Sequence, residues 1–381
     1  MNLSPEDSLR LNVLLNQELQ AVRIDESRMV VHALTPAGEA SVTLNPNCRD
    51  ELYLKQVREL LSGHVLDSPG GYPVYIRRWT RTGQARDSDS LHSLLKLGEP
   101  EAVVAVVHAP GLTPALARLA WWAMPDADNA RRMLAVPDVA GSDVGREMAR
   151  YLIDYLPFET EPSAIFSTVR QVLQPGLVSD EVRDNLWKRA ARKGTIYVGF
   201  LQAMPDALPS LLPPHPGHEH AIAALAGLLD QGNAAAELLC RVMSPAGQAF
   251  LDTVARAMDK LADEAATVAV FDAIGRYFRA VLPVGHPDAL AGGRDSEAAV
   301  AFARTCLDDE GPWSAPLAEL LEITPEHRAA LQAMVALSFA GEALLDSFFS
   351  HSDAVGPLMR RKLKPWTEPM MAQIAVLRGQ G

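Results

Sequence analysis

Cysteine is scarce. Cys48, Cys240 and Cys306 are the three in 381 residues, far apart and odd in number. That excludes a disulfide framework and fits a reducing compartment. No Cys-x-x-Cys pair occurs, which weighs against a structural zinc or a dithiol redox centre. Also missing are Gly-x-x-x-x-Gly-Lys, Gly-x-Gly-x-x-Gly, His-Glu-x-x-His and Gly-x-Ser-x-Gly. The commonest enzyme classes go with them, though not every enzyme. Long apolar runs are lacking: the longest uncharged stretch in the apolar segments, Ala329–Gly341, has 13 residues. A spanning helix needs about 18 or more, so no membrane span is expected. Basic residues are the minority, 35 against 47 acidic, and the net charge of −12 argues against a general nucleic-acid binder. The first residues, Met1 to Asp7, hold neither a basic n-region nor an apolar h-region, so a cytoplasmic location is expected.

What is present is a large, ordered chain. Hydrophobic residues make up 48% and mean hydropathy is +0.01, which excludes disorder as the main state. The length leaves room for two or three domains. Alanine shows the main composition shift: 5 fall in residues 1–100 and 51 in the rest. Helix interiors favour alanine and strands do not, so strands belong to the front and helices to the remainder.

The front carries a Ser4-Pro5 helix start and β-type runs at Ala21–Asp25, Met29–Leu34 and Glu39–Leu44. An amphipathic helix follows over Asp50–His64, then a fourth strand at Tyr72–Thr80. Beyond about residue 90 the pattern is helical, with starts at Thr113-Pro114, Ser244-Pro245 and Thr324-Pro325. Glu99-Pro100 and Glu161-Pro162 are weaker starts. Apolar helical cores extend to Leu331–Phe349. The fold class expected is mainly α with a small N-terminal α+β module, then an array of antiparallel helix pairs, HEAT-like or solenoid. Composition divides the chain into 1–85, 90–208 and 219–381. A faint repeat supports the array: Ala123-Met124-Pro125-Asp126-Ala127 recurs as Ala203-Met204-Pro205-Asp206-Ala207.

Few residues offer chemistry. His215, His218 and His220, with Glu219, have metal-ligand character but sit on a proline-rich turn and lack a fourth partner; the simpler account is a solvated linker leading into a helix, with Glu219 near its positive end. Cys48 precedes Arg49 and a helix start, which favour thiolate, while Asp50 and Glu51 oppose it. Cys240 and Cys306 read as packed core thiols. Arg77, Trp79 and Arg81 share one face of the fourth strand and can hold an anion or an acidic partner; the bland account is a solvated edge strand. The basic clusters Lys188–Lys193 and Arg360–Lys364 read as helix ends or solvated faces. Adjacent Trp121 and Trp122 point about 100° apart, so they fit a core between two helix layers, the alternative being one of them at an inter-domain or partner contact. No cofactor and no catalytic residue beyond the candidate Cys48 is expected.

Several stretches carry a likeness. They are Leu3–Leu15, Arg23–Val31, Ser68–Tyr75 with Arg78–Arg81, Leu97–Val107 and Ala120–Asp126. Together they resemble the sulfur reduction protein DsrS family, over roughly residues 1–210. The resemblance implies a cytoplasmic accessory protein of the dissimilatory sulfite reductase system, working with a protein partner of the sulfur-oxidation machinery. It supplies no catalytic motif. The alternatives are a sulfur-handling enzyme or carrier using Cys48, or a metal-binding protein using His215–His220.

Overall fold

The computed structural model describes residues 3–66, 88–261, 263–284, 295–308, 315–352 and 354–380. The chain is mainly α, 69% helical, with a small three-stranded antiparallel sheet near the N-terminus. Contacts divide it into two compact units. Unit 1 holds Met1–Pro157 with Pro175–Leu177; unit 2 holds Phe158–Gln174 with Val178–Gly381. The composition breaks near 85–90 and 208–219 fall inside these units.

In unit 1, α1 (Pro5–Leu15) starts as its sequence requires: Ser4 Oγ accepts the Asp7 N–H at 3.2 Å, and proline fills the first turn. Strands β1 (Ala21–Asp25), β2 (Val30–Thr35) and β3 (Gly38–Thr43) form a meander in that order. The register pairs Val22 with Ala33 and Ile24 with Val31, so these side chains share the core face. They meet Leu11, Leu14 and Leu15 of α1, and Tyr53, Val57 and Leu61 of α2 (Asp50–Leu66). The β1–β2 turn is closed by Asp25, whose Oδ1 accepts from Ser27 Oγ and the Arg28 N–H. Met29 there adopts φ 52°, a left-handed conformation uncommon for a non-glycine residue. The expected strand Tyr72–Thr80 lies outside the described residues. Unit 1 continues with α3 (Ser88–Leu94), α4 (Pro100–Val107), α5 (Pro114–Ala123), α6 (Ala127–Leu134), α7 (Pro137–Ala140) and α8 (Asp143–Tyr155).

Unit 2 contains α9 (Pro162–Val172), α10 (Asp180–Ala190), α11 (Thr195–Ala203), α12 (His218–Asp230), α13 (Ala234–Met243) and α14 (Pro245–Met258). Next come α15 (Glu264–Phe278), α16 (Ser296–Thr305), α17 (Ala315–Ile323), α18 (Arg328–Ser338), α19 (Glu342–Phe349) and α20 (Gly356–Leu377).

Helix starts follow side-chain chemistry. Thr113 and Ser244 accept backbone N–H groups from Leu116 and Gly247, whereas Glu99 and Glu161 precede their helices without a side-chain cap. Ser244 Oγ also donates to the Arg241 carbonyl at 2.6 Å, which folds the chain back sharply between α13 and α14. Only glycine fits three residues on: a Cβ at Gly247 would lie 2.2 Å from the Arg241 carbonyl oxygen. Ser142 and Gly145 repeat this corner before α8.

Two expectations need correction. Thr324 does not cap a helix; its Oγ1 donates to the Leu320 carbonyl at 3.1 Å, ending α17, and a 3-10 turn follows. The apolar stretch Leu331–Phe349 is two helices, broken at Phe339–Gly341. The Arg360–Lys364 cluster is a solvated face, as read: it lies inside the 22-residue α20, which continues through Pro365 and Pro369, with Arg361, Lys362 and Lys364 exposed. The repeat is real only at a helix end. Met124 (φ −149°, ψ 81°) and Met204 (φ −147°, ψ 61°) terminate α5 and α11 alike. Then Asp126 caps α6, whereas Asp206 pairs with Arg241.

That pair organises one wall of unit 2. Both Asp206 carboxylate oxygens accept from Arg241 at 2.7 Å. The guanidinium lies over the Tyr277 ring, 3.9 Å from its centre, and Tyr277 stacks on Phe250. The Tyr277 hydroxyl is buried with no hydrogen-bond partner among the described residues. Burial raises its pKa far above the ordinary 10.0; Arg241 opposes this and Asp206 adds to it. Tyr277→Phe removes the unsatisfied hydroxyl and keeps the stack, so it is expected to be neutral or to stabilise by about 0.5–1 kcal/mol. A tyrosine raised on folding supports the native state fully below its unfolded pKa and loses that support as pH rises through the folded value. Stability therefore falls above about pH 10, and Tyr277→Phe flattens that fall. Urea unfolding at pH 7 and pH 11 checks both; a loss above 1 kcal/mol at pH 7 would contradict the first.

Among the described residues no single helix is long and apolar enough to cross a membrane. One bent pair, Pro325–Ser338 with Glu342–Phe349, passes by length and composition, but it turns by 62° and its apolar residues line the unit 2 core.

Candidate functional site

The largest concavity among the described pockets is a groove of about 1140 Å³ in unit 2. Its floor is one stripe of α15, from Glu264 through Val268 and Asp272 to Arg276, continued by Arg279. These positions recur at helical spacing and so face one way. One wall is α9, with Phe166 and Arg170; the other is the α18–α19 break and the segment after α19. Close packing sets the walls. Gly199 of α11 brings it against Val169, where a Cβ would lie 2.5 Å away. Gly275 likewise admits the Ala340 carbonyl, 1.9 Å from where a Cβ would sit.

Helix direction sorts the charges. Lys193 Nζ donates to the Glu159 carbonyl, and Gly199 meets Val169, so α9 and α11 run the same way. The Lys260 side chain covers Gly194 and Gln202 Nε2 donates to the Ala269 carbonyl, so α15 follows them. Glu161 therefore lies at the Asp263–Glu264 end. Arg276 and Arg279 mark the opposite end, and Arg170 lies between. Asp263 caps α15 through the Ala266 N–H at 2.8 Å. Asp272 Oδ1 accepts the Glu342 N–H at 3.3 Å, tying the start of α19 to the floor. Arg276 Nε donates to the Asp272 carbonyl, while Arg170 and Arg279 make no ion pair among the described residues. Between the ends the floor combines the small apolar residues Ala265, Ala269 and Ala340 with Asp272, and Arg170 and Glu342 line the walls beside it.

None of these residues stood out in the sequence. The readable signal is a charge spacing: Glu264, Asp272, Arg276 and Arg279 share a face of a helix that is otherwise buried. Composition could not show which neighbours leave that face open.

The residues singled out from sequence lie elsewhere. Arg77, Trp79 and Arg81 are outside the described residues. Cys48 is half-buried beside the unit 1 core, its Sγ 3.7 Å from the Arg49 carbonyl oxygen. Cys306 is buried. Cys240 is half-buried, and burial pushes its thiol pKa up. His215 Nδ1 accepts the Gly217 N–H at 3.1 Å, and its own N–H donates to the Met243 carbonyl. His220 faces Glu326 at 3.7 Å. Burial and the neighbouring His218 lower the His215 pKa. Among the described residues no three His, Cys, Asp or Glu side chains converge as a metal-ligand set, so His215, His218 and His220 are not brought together as one.

The tryptophan pair divides within unit 1. Trp121 is buried, donates to Glu147 Oε1 at 2.9 Å and meets Tyr151 edge-on. Trp122 fastens α5 to the sheet: Arg23 lies over its ring at 4.6 Å, and its Nε1 donates to Glu39 Oε2 at 3.3 Å. Arg23 also donates to Glu39 Oε1 at 3.0 Å, and His32 Nδ1 lies 2.9 Å from the same oxygen. Burial alone would raise the Glu39 pKa, but Trp122, Arg23 and His32 outweigh it and hold the carboxyl below its ordinary 4.5. Its support is present above about pH 4.5 and is lost as pH falls through the lowered native value. Glu39→Gln is expected to flatten the acid limb of unit 1 stability between about pH 5 and 3, read by near-UV circular dichroism; an unchanged limb would contradict the latch.

No protein-family model, no curated protein and no solved structure matches the chain.

Proposed function

We propose that this chain is a cytoplasmic, non-catalytic accessory protein of dissimilatory sulfur oxidation that works by holding a partner protein. The observation that carries the holding role is the unit 2 groove, an open concavity with charges of both signs on its rim and small apolar residues on its floor. Such mixed surfaces give orientation and selectivity in protein contacts. The pathway assignment rests on the resemblance of residues 1–210 to the DsrS family.

The test is affinity capture from a sulfur-oxidising host, with captured proteins identified by mass spectrometry. Recovery of dissimilatory sulfite reductase components above a tag-only control supports the reading. Recovery of no sulfur-pathway protein overturns it. The half-exposed thiol favours a second reading, persulfide carriage on Cys48. After exposure to polysulfide, which donates its sulfane sulfur to the thiolate, a mass gain of about 32 Da on Cys48 supports it, and no gain removes it.

A further inference from the structure

We propose that the unit 2 groove takes a bipolar segment of a partner protein, basic where it meets Glu161, Asp263 and Glu264 and acidic where it meets Arg276 and Arg279. The inference deepens the partner-holding reading and rests on it.

Length sizes the probe. From Glu264 to Arg279 the floor spans about 22 Å at the helical rise of ~1.5 Å per residue. An extended chain rises ~3.3 Å per residue, so about seven residues fill the floor.

Charge selects the polarity. Three carboxylates gather at one end, and a second concavity extends that end with Asp346 beside Glu264. Arg276 and Arg279 are exposed at the other end. A guanidinium without an ion-pair partner is matched best by a carboxylate, which it can hold bidentately. A uniformly charged ligand is repelled at one end, so the groove discriminates by charge order as well as composition. The floor of Ala265, Ala269 and Ala340 accepts small apolar side chains between the charged ends.

The experiment uses the full chain and fluorescently labelled heptapeptides in low salt, read by anisotropy. The probes are Lys-Arg-Ala-Val-Ala-Asp-Glu, its reverse, a charge-scrambled isomer, hepta-glutamate and hepta-lysine. One bipolar order is expected to bind about ten-fold more tightly than the scrambled and uniform peptides. Arg276→Glu with Arg279→Glu is expected to weaken it about ten-fold and to make hepta-lysine the preferred ligand. Should that double variant fail to fold, Glu264→Lys at the other end is expected to shift preference toward hepta-glutamate. No binding by either bipolar order, equal binding by all peptides, or unchanged affinity in the folded variants overturns the inference. Self-association abolished by the same variants also overturns it, because the occupant is then a second copy. If the double variant still captures sulfur-pathway proteins while the peptides fail, the groove inference falls and the partner-holding reading stands. If the wild-type chain captures none, the partner-holding reading falls.

Discussion

Gly275→Ala is expected to destabilise unit 2 by about 3 kcal/mol, lowering its melting temperature by roughly 6–12 °C. Gly275 sits inside α15, where alanine ordinarily gains about 1 kcal/mol over glycine. Here the added methyl would lie 1.9 Å from the Ala340 carbonyl oxygen and 3.0 Å from its carbon. Neither atom is the free end of a side chain, so the α18–α19 break must move bodily away from α15. That move loosens Phe271, Ile274 and Phe278, all fully buried, and Leu337 and Leu344 behind the break. The steric loss therefore exceeds the propensity gain. Gly227→Ala provides the control. Gly227 lies on an exposed stretch of α12 with nothing within 4 Å of a Cβ, so alanine there is expected to stabilise by about 0.5–1 kcal/mol. Calorimetry of the two variants reads opposite signs. A Gly275→Ala protein as stable as the wild type would show that the break is not held against α15.

Asp7→Ala is the counterpart in unit 1, with an expected loss of about 2–4 kcal/mol. Asp7 is fully buried on α1, and its Oδ2 accepts the Tyr53 hydroxyl and the Asn45 N–H at 2.5 and 2.7 Å. Tyr53, also fully buried, accepts in turn from the Ser4 N–H at 3.2 Å. One carboxylate thus joins α1, α2 and the loop after β3. Its Oδ1 has no hydrogen-bond partner, so the two bonds on Oδ2 must offset the cost of burying it. Removing the carboxylate leaves the Tyr53 hydroxyl with Ser4 Oγ, 3.2 Å away, as its acceptor, and takes the acceptor from the Asn45 N–H. Tyr53→Phe removes that hydroxyl and costs less, about 1 kcal/mol, and the double variant is expected to show a coupling of about 1–2 kcal/mol. Urea unfolding of the four proteins completes the cycle. An Asp7→Ala protein within about 0.5 kcal/mol of the wild type would mean the loop is held by other contacts.

The two predictions differ in how visible they were from sequence. Asp7 reads as an acidic residue in the first turn of a capped helix, an ordinary surface position. Nothing local says that Tyr53, 46 residues on, will reach it. Gly275 reads as a mild defect in a helix. Only the approach of Ala340, 65 residues on, makes it necessary.

Local chemistry did determine much of the rest. Period-two alternation with Asp25–Arg28 and Thr35–Gly38 as turns placed the three strands within a residue of their observed ends. Ser4, Thr113 and Ser244 before proline marked three helix starts, because cap and first turn depend on neighbours along the chain. The alanine shift separated the strand-bearing front from the helical remainder. The scarcity of cysteine limited the chemistry, and the structure adds that Cys306 is buried while Cys48 and Cys240 are both half-buried.

What tertiary structure alone decided is where the chain bends and what it leaves uncovered. The apolar run Leu331–Phe349 breaks in two because its middle docks on α15. The proline-bearing segment Gly356–Leu377 stays helical, its Met359, Leu363, Met370 and Ile374 buried in unit 2. The groove exists because α9, α15 and α19 meet around small residues and leave one charged stripe open. Hydrogen bonds, caps and periodicity act within a few residues, so a sequence displays them directly. A concavity is the space left between helices far apart in the chain, and no local pattern encodes it.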